Sequence, residues 1–361
     1  FIILCIISYV IIVTFLFYTL AFSEVKPITD VEINTYFSNS NNFIPLKEGT
    51  NLKKNLNFLM RENGEISISN IFMYYQLEQE LNNEYIKQSI NKFFFEYKLN
   101  NMIISFGKRT KNIGISRNSL ILSENAKPFP MIYIENTKPV KWHGEWRFLI
   151  LKGWIDEKRK DTSNPELIIL RTEYSPSEVI NFGLNRFSMY GGEGLNGFKI
   201  WEYPKMLIGS EENIPGSKYD TDGYFGYDIS LNLKKYIKKF DSFKLYYQQI
   251  GTDIQAFWQK EDRGKIYFPW IVKLTLNSYQ GGIEIKDKNS KYNLEFTSVN
   301  DLFYIHHYYR IEGYTYHGFS LGYPYGRYLQ SIQFQQKISK NGLDIFKYST
   351  GWFKQPSSYK P

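Results

Sequence analysis

Side chains suited to binding sugars are concentrated in two segments of the chain. The first segment, Trp142–Arg147, combines two tryptophans with histidine, glutamate and arginine, and Trp154 follows shortly after it. Aromatic faces pack against the C–H surfaces of sugar rings, while nearby polar groups fix the orientation of the ligand. The candidate binding residues of this segment are therefore Trp142, Trp146 and Arg147.

The second segment contains Tyr314, Tyr316 and His317, with Arg310 and Arg327 on either side. An arginine binds a carboxylate through two parallel hydrogen bonds, so these arginines suit an acidic sugar. Tyr316, His317, Arg310 and Arg327 complete the candidate set. Strand alternation would put both tyrosines on the face opposite His317, so the residues cannot all line one site. For both segments the alternative is a girdle of interfacial aromatic residues that binds no ligand.

Motifs for catalysis and cofactor binding are weak. Gly192–Gly197 has the G-x-G-x-x-G spacing, but no strand and helix flank it, which favours a plain loop. The four histidines lack zinc-site spacing, and His306 and His307 would point to opposite faces of a strand. Glu295 and Asp228 are the remaining candidates for an acid–base pair. The alternative is a structural role, since carboxylates on the inner face of a β-barrel commonly pair with Lys or Arg. We predict no catalytic residue, no metal and no cofactor.

Alternation with a period of two dominates the chain from Glu65 onward. It is typical of strands with one apolar and one polar face. About 300 residues, at about 18 to 20 per strand and connection, predict 14 to 18 antiparallel strands. Polar turns separate several of them. The clearest alternating segments are Phe93–Leu99, Phe225–Leu233, Ile266–Leu276 and Tyr292–Phe296.

Two architectures fit this alternation, a membrane β-barrel and a soluble β-sandwich with its apolar face inward. The N-terminal stretch Phe1–Phe22 is uncharged, and Ala21-Phe22-Ser23 resembles a signal-peptidase site. We interpret residues 1–23 as a signal peptide, with a retained membrane anchor as the alternative. Export, hairpin spacing and an aromatic fraction of 18% favour the outer-membrane barrel.

The segment between the leader and the strands has a different pattern. We predict a short amphipathic helix in each of two parts of this segment, Ile28–Phe37 and Asn51–Met60. In the second part, leucines recur at helical spacing. We therefore divide the chain into a signal peptide (1–23), a helical periplasmic segment (24–64) and a barrel (65–361).

The charge of the chain bears on its partners. The formal net charge is +8, which favours anionic partners such as acidic polysaccharide or lipopolysaccharide phosphate. Export makes nucleic acid an improbable partner. The lysines are scattered along the chain, so an ordinary solvated surface also explains the charge.

Six segments of the chain carry a recognisable family pattern. The most specific is Ser119–Pro130, and the others are Ile104–Arg109, Ile180–Gly194, Tyr246–Asp253, Leu294–Thr297 and His306–Gly322. Together they resemble the Wzi family of capsule assembly proteins and occur in the family's order, over about residues 65–336. Thr252 replaces an acidic residue that is usual in the family.

The resemblance implies a function that composition alone does not. It implies a non-enzymatic β-barrel in the bacterial outer membrane, in contact with lipid and lipopolysaccharide, that binds capsular or other surface polysaccharide and helps to assemble or retain it. A monomer is one expectation, but the sequence does not specify the oligomeric state. The mechanism would be lectin-like. An outer-membrane diffusion porin is the alternative function, and a surface enzyme acting on glycan or lipid is a third.

Overall fold

The computed structural model describes most of the chain. The described residues are 28–38, 47–49, 55–82, 84–209, 216–252, 254–256, 272–274, 277–340 and 343–354. They form two units, the first within 1–44 and 51–109 and the second within 45–50 and 110–361. The predicted signal peptide lies outside the described residues, as does most of the predicted strand Ile266–Leu276.

The first unit is an antiparallel meander in which each strand pairs with the next. Its strands are β1 (Ile28–Ser38), β2 (Asn55–Ile68), β3 (Ile71–Leu81), β4 (Ile86–Leu99) and β5 (Met102–Arg109). Tight turns connect β2 to β3 and β4 to β5, so neighbouring segments of sequence become neighbouring strands.

The second unit is also antiparallel and contains most of the described strands. Those of its large sheet are β6 (Phe129–Asn136), β7 (Val140–Lys141), β8 (Glu145–Trp154), β9 (Glu166–Ser175), β10 (Ile180–Tyr190), β11 (Asp222–Asn232), β12 (Ser242–Gly251), β15 (Ser278–Asp287), β16 (Ser290–Val299), β19 (Leu329–Lys340) and β20 (Leu343–Lys354). Two small hairpins lie in its loops, β13 (Ile254–Ala256) with β14 (Val272–Leu274), and β17 (Thr315–Tyr316) with β18 (Phe319–Ser320).

Sequential strands of the large sheet are neighbours, except where a hairpin intervenes. The order is β6-β8-β9-β10-β11-β12-β15-β16-β19-β20, and β7 pairs with β8. The sheet strands of the two units number sixteen, within the predicted range of 14 to 18 for the part of the chain described.

Helical structure is sparse in the described residues. It comprises α1 (Tyr203–Leu207) and the 3-10 turns Lys47–Gly49, Ile200–Glu202 and His307–Tyr309. Within these ranges no helix has the length and apolar character needed to cross a membrane.

The sheet exposes apolar side chains and buries polar ones. In β16, Leu294 is 46% and Phe296 38% exposed, whereas Glu295 and Thr297 are buried. A soluble sandwich would bury the apolar face, because water would otherwise surround it. A barrel in lipid requires the opposite arrangement. This inversion favours the membrane barrel over the sandwich.

The inversion recurs in both units. In β4, the predicted apolar face is exposed while Asn91 on the other face is buried. In β11, Asp228 is buried and forms a bidentate ion pair with Arg171 of β9, at 2.6 and 3.1 Å. Other exposed apolar residues on the strands are Ile71, Ile90, Phe93, Phe95, Tyr97, Ile150, Phe182, Leu184, Ile283 and Ile332.

The two predicted N-terminal helices are wrong. Ile28–Ser38 and Asn55–Ile68 are strands paired over eleven residues, from Ile28 with Glu65 to Ser38 with Asn55. The first is rich in β-branched and aromatic residues, which favour a strand. The apparent helical spacing in the second is coincidental. The predicted boundary at residue 65 therefore falls inside β2.

Leu294, in the middle of β16, tests the lipid-facing assignment. Leu294→Arg should lower the free energy of unfolding by about 2–4 kcal/mol, because the guanidinium would enter the hydrocarbon layer near its midplane. The measurement is reversible urea unfolding from phospholipid vesicles. Asn289→Arg, in the exposed turn between β15 and β16, is the control and should cost almost nothing. Equal costs for the two variants would contradict the assignment.

Candidate functional site

The strands of the second unit have two unlike ends. At one end, the short-turn end, the connections are 137–144, 176–179, 233–241, 288–289 and 341–342. At the other, the long-loop end, they are 155–165, 191–221, 252–277 and 300–328, and the segment 110–128 enters β6 there. In outer-membrane barrels short turns face the periplasm and longer loops the exterior. The long-loop end is therefore the candidate recognition side.

The segment 110–128 packs against the polar face of the sheet. The Ser116 hydroxyl donates to the buried carboxylate of Glu295, and the side chain of Gln280 donates to the Asn118 carbonyl at 3.0 Å. Both strand residues belong to the face that an open barrel would expose to water. The segment therefore occupies part of the space where a channel would run.

The loop 300–328 fixes this segment from its other side. The Tyr304 hydroxyl donates to the Leu120 carbonyl at 2.6 Å, and the Tyr314 hydroxyl donates to the Ile121 carbonyl at 3.0 Å. All four residues are fully or almost fully buried. Tyrosine suits this position because its ring fills apolar space while its hydroxyl satisfies a backbone acceptor.

An aromatic core joins the same loop to two strands. Phe187 of β10 stacks on Tyr224 of β11 at 4.5 Å, and Tyr224 meets Phe303 edge-on at 5.2 Å. Tyr304 and Tyr314 stack at 5.3 Å beside them. Contacts of this kind add to the burial free energy of the rings, so the loop is part of the core of the unit.

Arg159 ties the loop 155–165 to the loop 300–328. Its guanidinium is fully buried and donates to the carbonyls of Gly313 at 2.6 Å and Thr315 at 2.9 Å. It also pairs with Asp161 at 3.0 Å. A buried guanidinium without such partners would be strongly destabilising, so these contacts define the path of both loops.

The two carboxylates beside this guanidinium have opposite pKa shifts. Burial raises the pKa of Glu157, although the His317 N–H and Arg159 act against it. Burial also opposes ionisation of Asp161, but the Glu312 N–H and Arg159 outweigh it and lower that pKa. Asp161 is therefore the partner whose negative charge is best stabilised.

Of the predicted binding residues at this end, Tyr316 is unavailable to a ligand. It is only 3% exposed, its hydroxyl donates to Asp156 at 2.6 Å, and its ring packs edge-on against Phe129. The expectation that Tyr316 presents an aromatic face is wrong here, because both its ring and its hydroxyl are already engaged. Alternation predicted that Tyr314 and Tyr316 face away from His317. For Tyr316 this is wrong, because His317 has a positive φ of 50° and its ring lies 4.2 Å from the ring of Tyr316.

The cationic candidates at this end are more accessible. Arg310 and His317 are exposed, and the imidazole of His317 lies 3.4 Å from Glu157. Arg327 is partly buried and donates to the Asp301 carbonyl at 2.7 Å. We call Arg310, His317 and Arg327 the cationic loop residues.

Trp142, Trp146 and Arg147 lie at the opposite, short-turn end. Trp142 is 67% exposed, and the Trp146 indole stacks on Tyr174 at 4.4 Å and donates to the Trp142 carbonyl. The two predicted clusters therefore lie at opposite ends of the second unit and do not form one site. An interfacial girdle, the alternative considered from the sequence, would also place tryptophans at the end of the strands, and a role of these residues in glycan binding stays a prediction.

Comparison with known proteins adds the family. The profile described as "Capsule assembly protein Wzi" matches residues 35–339. The chain belongs to the Wzi family. The family predicted from the sequence is thus confirmed, and the match includes β2, which the sequence had assigned to a helical segment. No curated protein sequence matches significantly.

One solved structure has the same fold as this chain. It is Wzi of Escherichia coli, described as an outer membrane protein involved in group 1 capsule assembly and a carbohydrate-binding β-barrel. It is 18% identical, the match covers 91% of this chain and 69% of that one, and the TM-score is 0.65. The predicted fold class, an antiparallel β-barrel, is confirmed, and the predicted outer-membrane location is that of the Escherichia coli protein.

Porin structures are also similar, at a lower level. A Rhodopseudomonas blastica porin variant is 8% identical, with 90% of this chain and 100% of that chain covered and a TM-score of 0.38. Similarity this low carries no argument about fold or function.

Sequence reasoning missed one cluster in the loops of this family member. It expected His306 and His307 on opposite faces of a strand, which is wrong. His306 caps the 3-10 turn His307–Tyr309, so the two rings lie 3.9 Å apart and both face Asp220. The adjacent histidines were a visible signal, but Asp220 is distant in sequence and no local pattern connects it to them.

Glu295 tests how firmly the segment 110–128 is attached. Glu295→Ala removes an acceptor of hydrogen bonds from Ser116 and Tyr246 and should lower the free energy of unfolding by about 1.5–3 kcal/mol. Glu284→Ala is the control, since Glu284 forms a partly exposed ion pair with Lys291 and should cost at most about 1 kcal/mol. Urea unfolding in vesicles measures both. A Glu295→Ala cost no larger than the control would contradict the anchoring role.

Proposed function

We propose that this chain is a non-enzymatic outer-membrane protein that binds capsular or other surface polysaccharide and helps to retain it at the cell surface. The observation that carries the proposal is the Wzi family match over residues 35–339. The Escherichia coli structure, described as a carbohydrate-binding barrel involved in capsule assembly, supplies the ligand class by analogy. The proposal includes contact with outer-membrane lipid and lipopolysaccharide, and a monomeric state.

The cationic loop residues are the proposed recognition surface. Arg310 and His317 are exposed at the long-loop end, where loops of outer-membrane barrels face the exterior. A guanidinium binds carboxylates on acidic sugars through charge-assisted hydrogen bonds. Single contacts of this type are weak, but a polymer repeats its units, so one chain of sugar can rebind before it diffuses away.

The non-enzymatic part of the proposal is supported by the environment of the acid–base candidates. Glu295 accepts from Ser116 and Tyr246, and Asp228 is bound bidentately by Arg171. Both carboxylates are buried in hydrogen bonds that hold the polar face together. This is the structural role that lumen carboxylates commonly have.

Polysaccharide retention tests the proposed surface. The double variant R310A/H317A should retain less polymer on intact cells, with the missing polymer recovered in the medium and total synthesis unchanged. A charge-assisted hydrogen bond contributes about 1.5–3 kcal/mol. Its loss should lower the affinity for each bound repeat of the polymer by about 10-fold or more. Quantifying cell-bound and shed polymer provides the measurement.

The matched control is W142A/W146A, which removes the exposed aromatic pair at the short-turn end. It should leave retention unchanged if these residues form an interfacial girdle. Loss of retention in the tryptophan variant alone would move the binding surface to that end. Full retention by a deletion strain would refute the retention function itself.

Ion conductance distinguishes the proposal from the porin alternative. Because the segment 110–128 packs on the polar face and the loop 300–328 packs on that segment, we expect single molecules in planar bilayers to conduct far less than an open diffusion porin. The variant S116A/N118A removes the hydrogen bond from Ser116 to Glu295 and the one that the Asn118 side chain donates to Gln333 at 3.2 Å, and it should raise the conductance. A large, steady conductance of the unmodified protein would instead support the porin.

A further inference from the structure

Three potential metal ligands converge at the long-loop end. Asp220, at the end of the loop 191–221, faces His306 and His307 of the loop 300–328. The His306 Nε2 lies 3.3 Å from one carboxylate oxygen, and the His307 Nε2 lies 2.9 Å from the other. One ligand atom from each of the three residues lies within 4.8 Å of the other two.

The carboxylate of this cluster is buried among polar side chains. The Asp220 side chain is completely buried, with the imidazoles of His306 and His307 at 3.3 and 2.9 Å and the Tyr308 side chain as a further hydrogen-bond partner. A buried carboxylate requires hydrogen bonds or a counter-charge. A bound cation would supply a counter-charge, because it would contact both the carboxylate and the imidazoles.

The distances within the cluster are compatible with a transition-metal site. With metal–ligand distances of about 2.0–2.2 Å, the ligand atoms of a tetrahedral site lie about 3.3 Å apart. The two His–Asp separations of 3.3 and 2.9 Å are near this value. The backbone N–H of Tyr308 approaches the His306 Nδ1 at 3.5 Å, so the Nε2 is the nitrogen that faces Asp220.

We propose that Asp220, His306 and His307 bind a divalent transition-metal ion of the Zn²⁺ class. Two imidazole nitrogens and one carboxylate oxygen favour Zn²⁺ or Cu²⁺, whereas Mg²⁺ and Ca²⁺ require mainly oxygen ligands. Three protein ligands leave a fourth position open. The His307 side chain is 48% exposed, so water or an oxygen of an external ligand can reach that position.

The site would also have a structural role. It would join the loop 191–221 to the loop 300–328, in addition to the hydrogen bonds that Arg159 makes at another point of the latter. It stands independently of the polysaccharide function, since its ligands are not among the cationic loop residues.

Metal binding by the full chain tests the proposal. The protein is purified in a non-ionic detergent without a polyhistidine tag, and ZnCl₂ is titrated by calorimetry. We expect saturable binding of one Zn²⁺ per chain. Because a change outside the first coordination sphere already costs about 10–100-fold in affinity, D220N and H307A should each weaken binding about 100-fold or more. Co²⁺ should give the visible absorption of a tetrahedral N,O site in the unmodified protein only.

The matched control is H143A, since His143 is an exposed histidine at the short-turn end. It should bind Zn²⁺ as the unmodified protein does. H307A changes a half-exposed side chain, and an unchanged circular dichroism spectrum would verify that the variant folds. The absence of saturable binding, equal losses in H143A and H307A, or displacement of Zn²⁺ by a modest excess of Mg²⁺ would each overturn the proposal.

Discussion

The fold requires hydrogen-bond or ion-pair partners for the buried polar side chains on one face of the sheet, while the apolar face is exposed. In β16 this means that Glu295 is buried and Leu294 is exposed, the reverse of a water-soluble sheet. Burying an unpaired carboxylate or guanidinium costs several kcal/mol. Each inward charge therefore needs partners on a neighbouring strand or loop, as Arg171 and Asp228 illustrate with two hydrogen bonds at 2.6 and 3.1 Å.

Strands alone do not meet this requirement, and the long loops supply what is missing. Ser116 and Asn118 bring a hydroxyl and a backbone carbonyl to Glu295 and Gln280. The tyrosines of the loop 300–328 then satisfy the carbonyls of the same segment from the other side. The loops therefore stabilise the polar face by supplying hydrogen-bond partners, as a hydrophobic core stabilises the apolar face of a soluble sheet.

Local patterns in the sequence predict much of this fold. Alternation identified β4, β11 and β16 because side chains on a strand alternate between lipid and interior. It did not identify β1, although the β-branched and aromatic composition of Ile28–Ser38 favours a strand. For short segments, pairing with a partner strand decides between helix and strand, and the partner is not visible from within the segment.

The candidate site was less predictable than the fold, because residue type does not specify which end of a strand a side chain occupies or whether it is buried. Trp142 and Arg310 both have the chemistry for sugars, yet they lie at opposite ends of the second unit. Tyr316 also has a side chain suited to sugar binding, but its ring packs against Phe129 and its hydroxyl donates to Asp156. Register and loop length, which depend on the whole chain, separate these cases.

Filling the polar face with loops also affects recognition. A loop that packs into a core, as the loop 300–328 does through Tyr304 and Tyr314, has little conformational freedom left to lose when a ligand binds. Arg310 and His317 are carried on that loop and remain exposed. If they form the proposed recognition surface, each sugar unit would bind weakly but without a large ordering cost, which suits retention of a repeating polymer better than passage of small solutes.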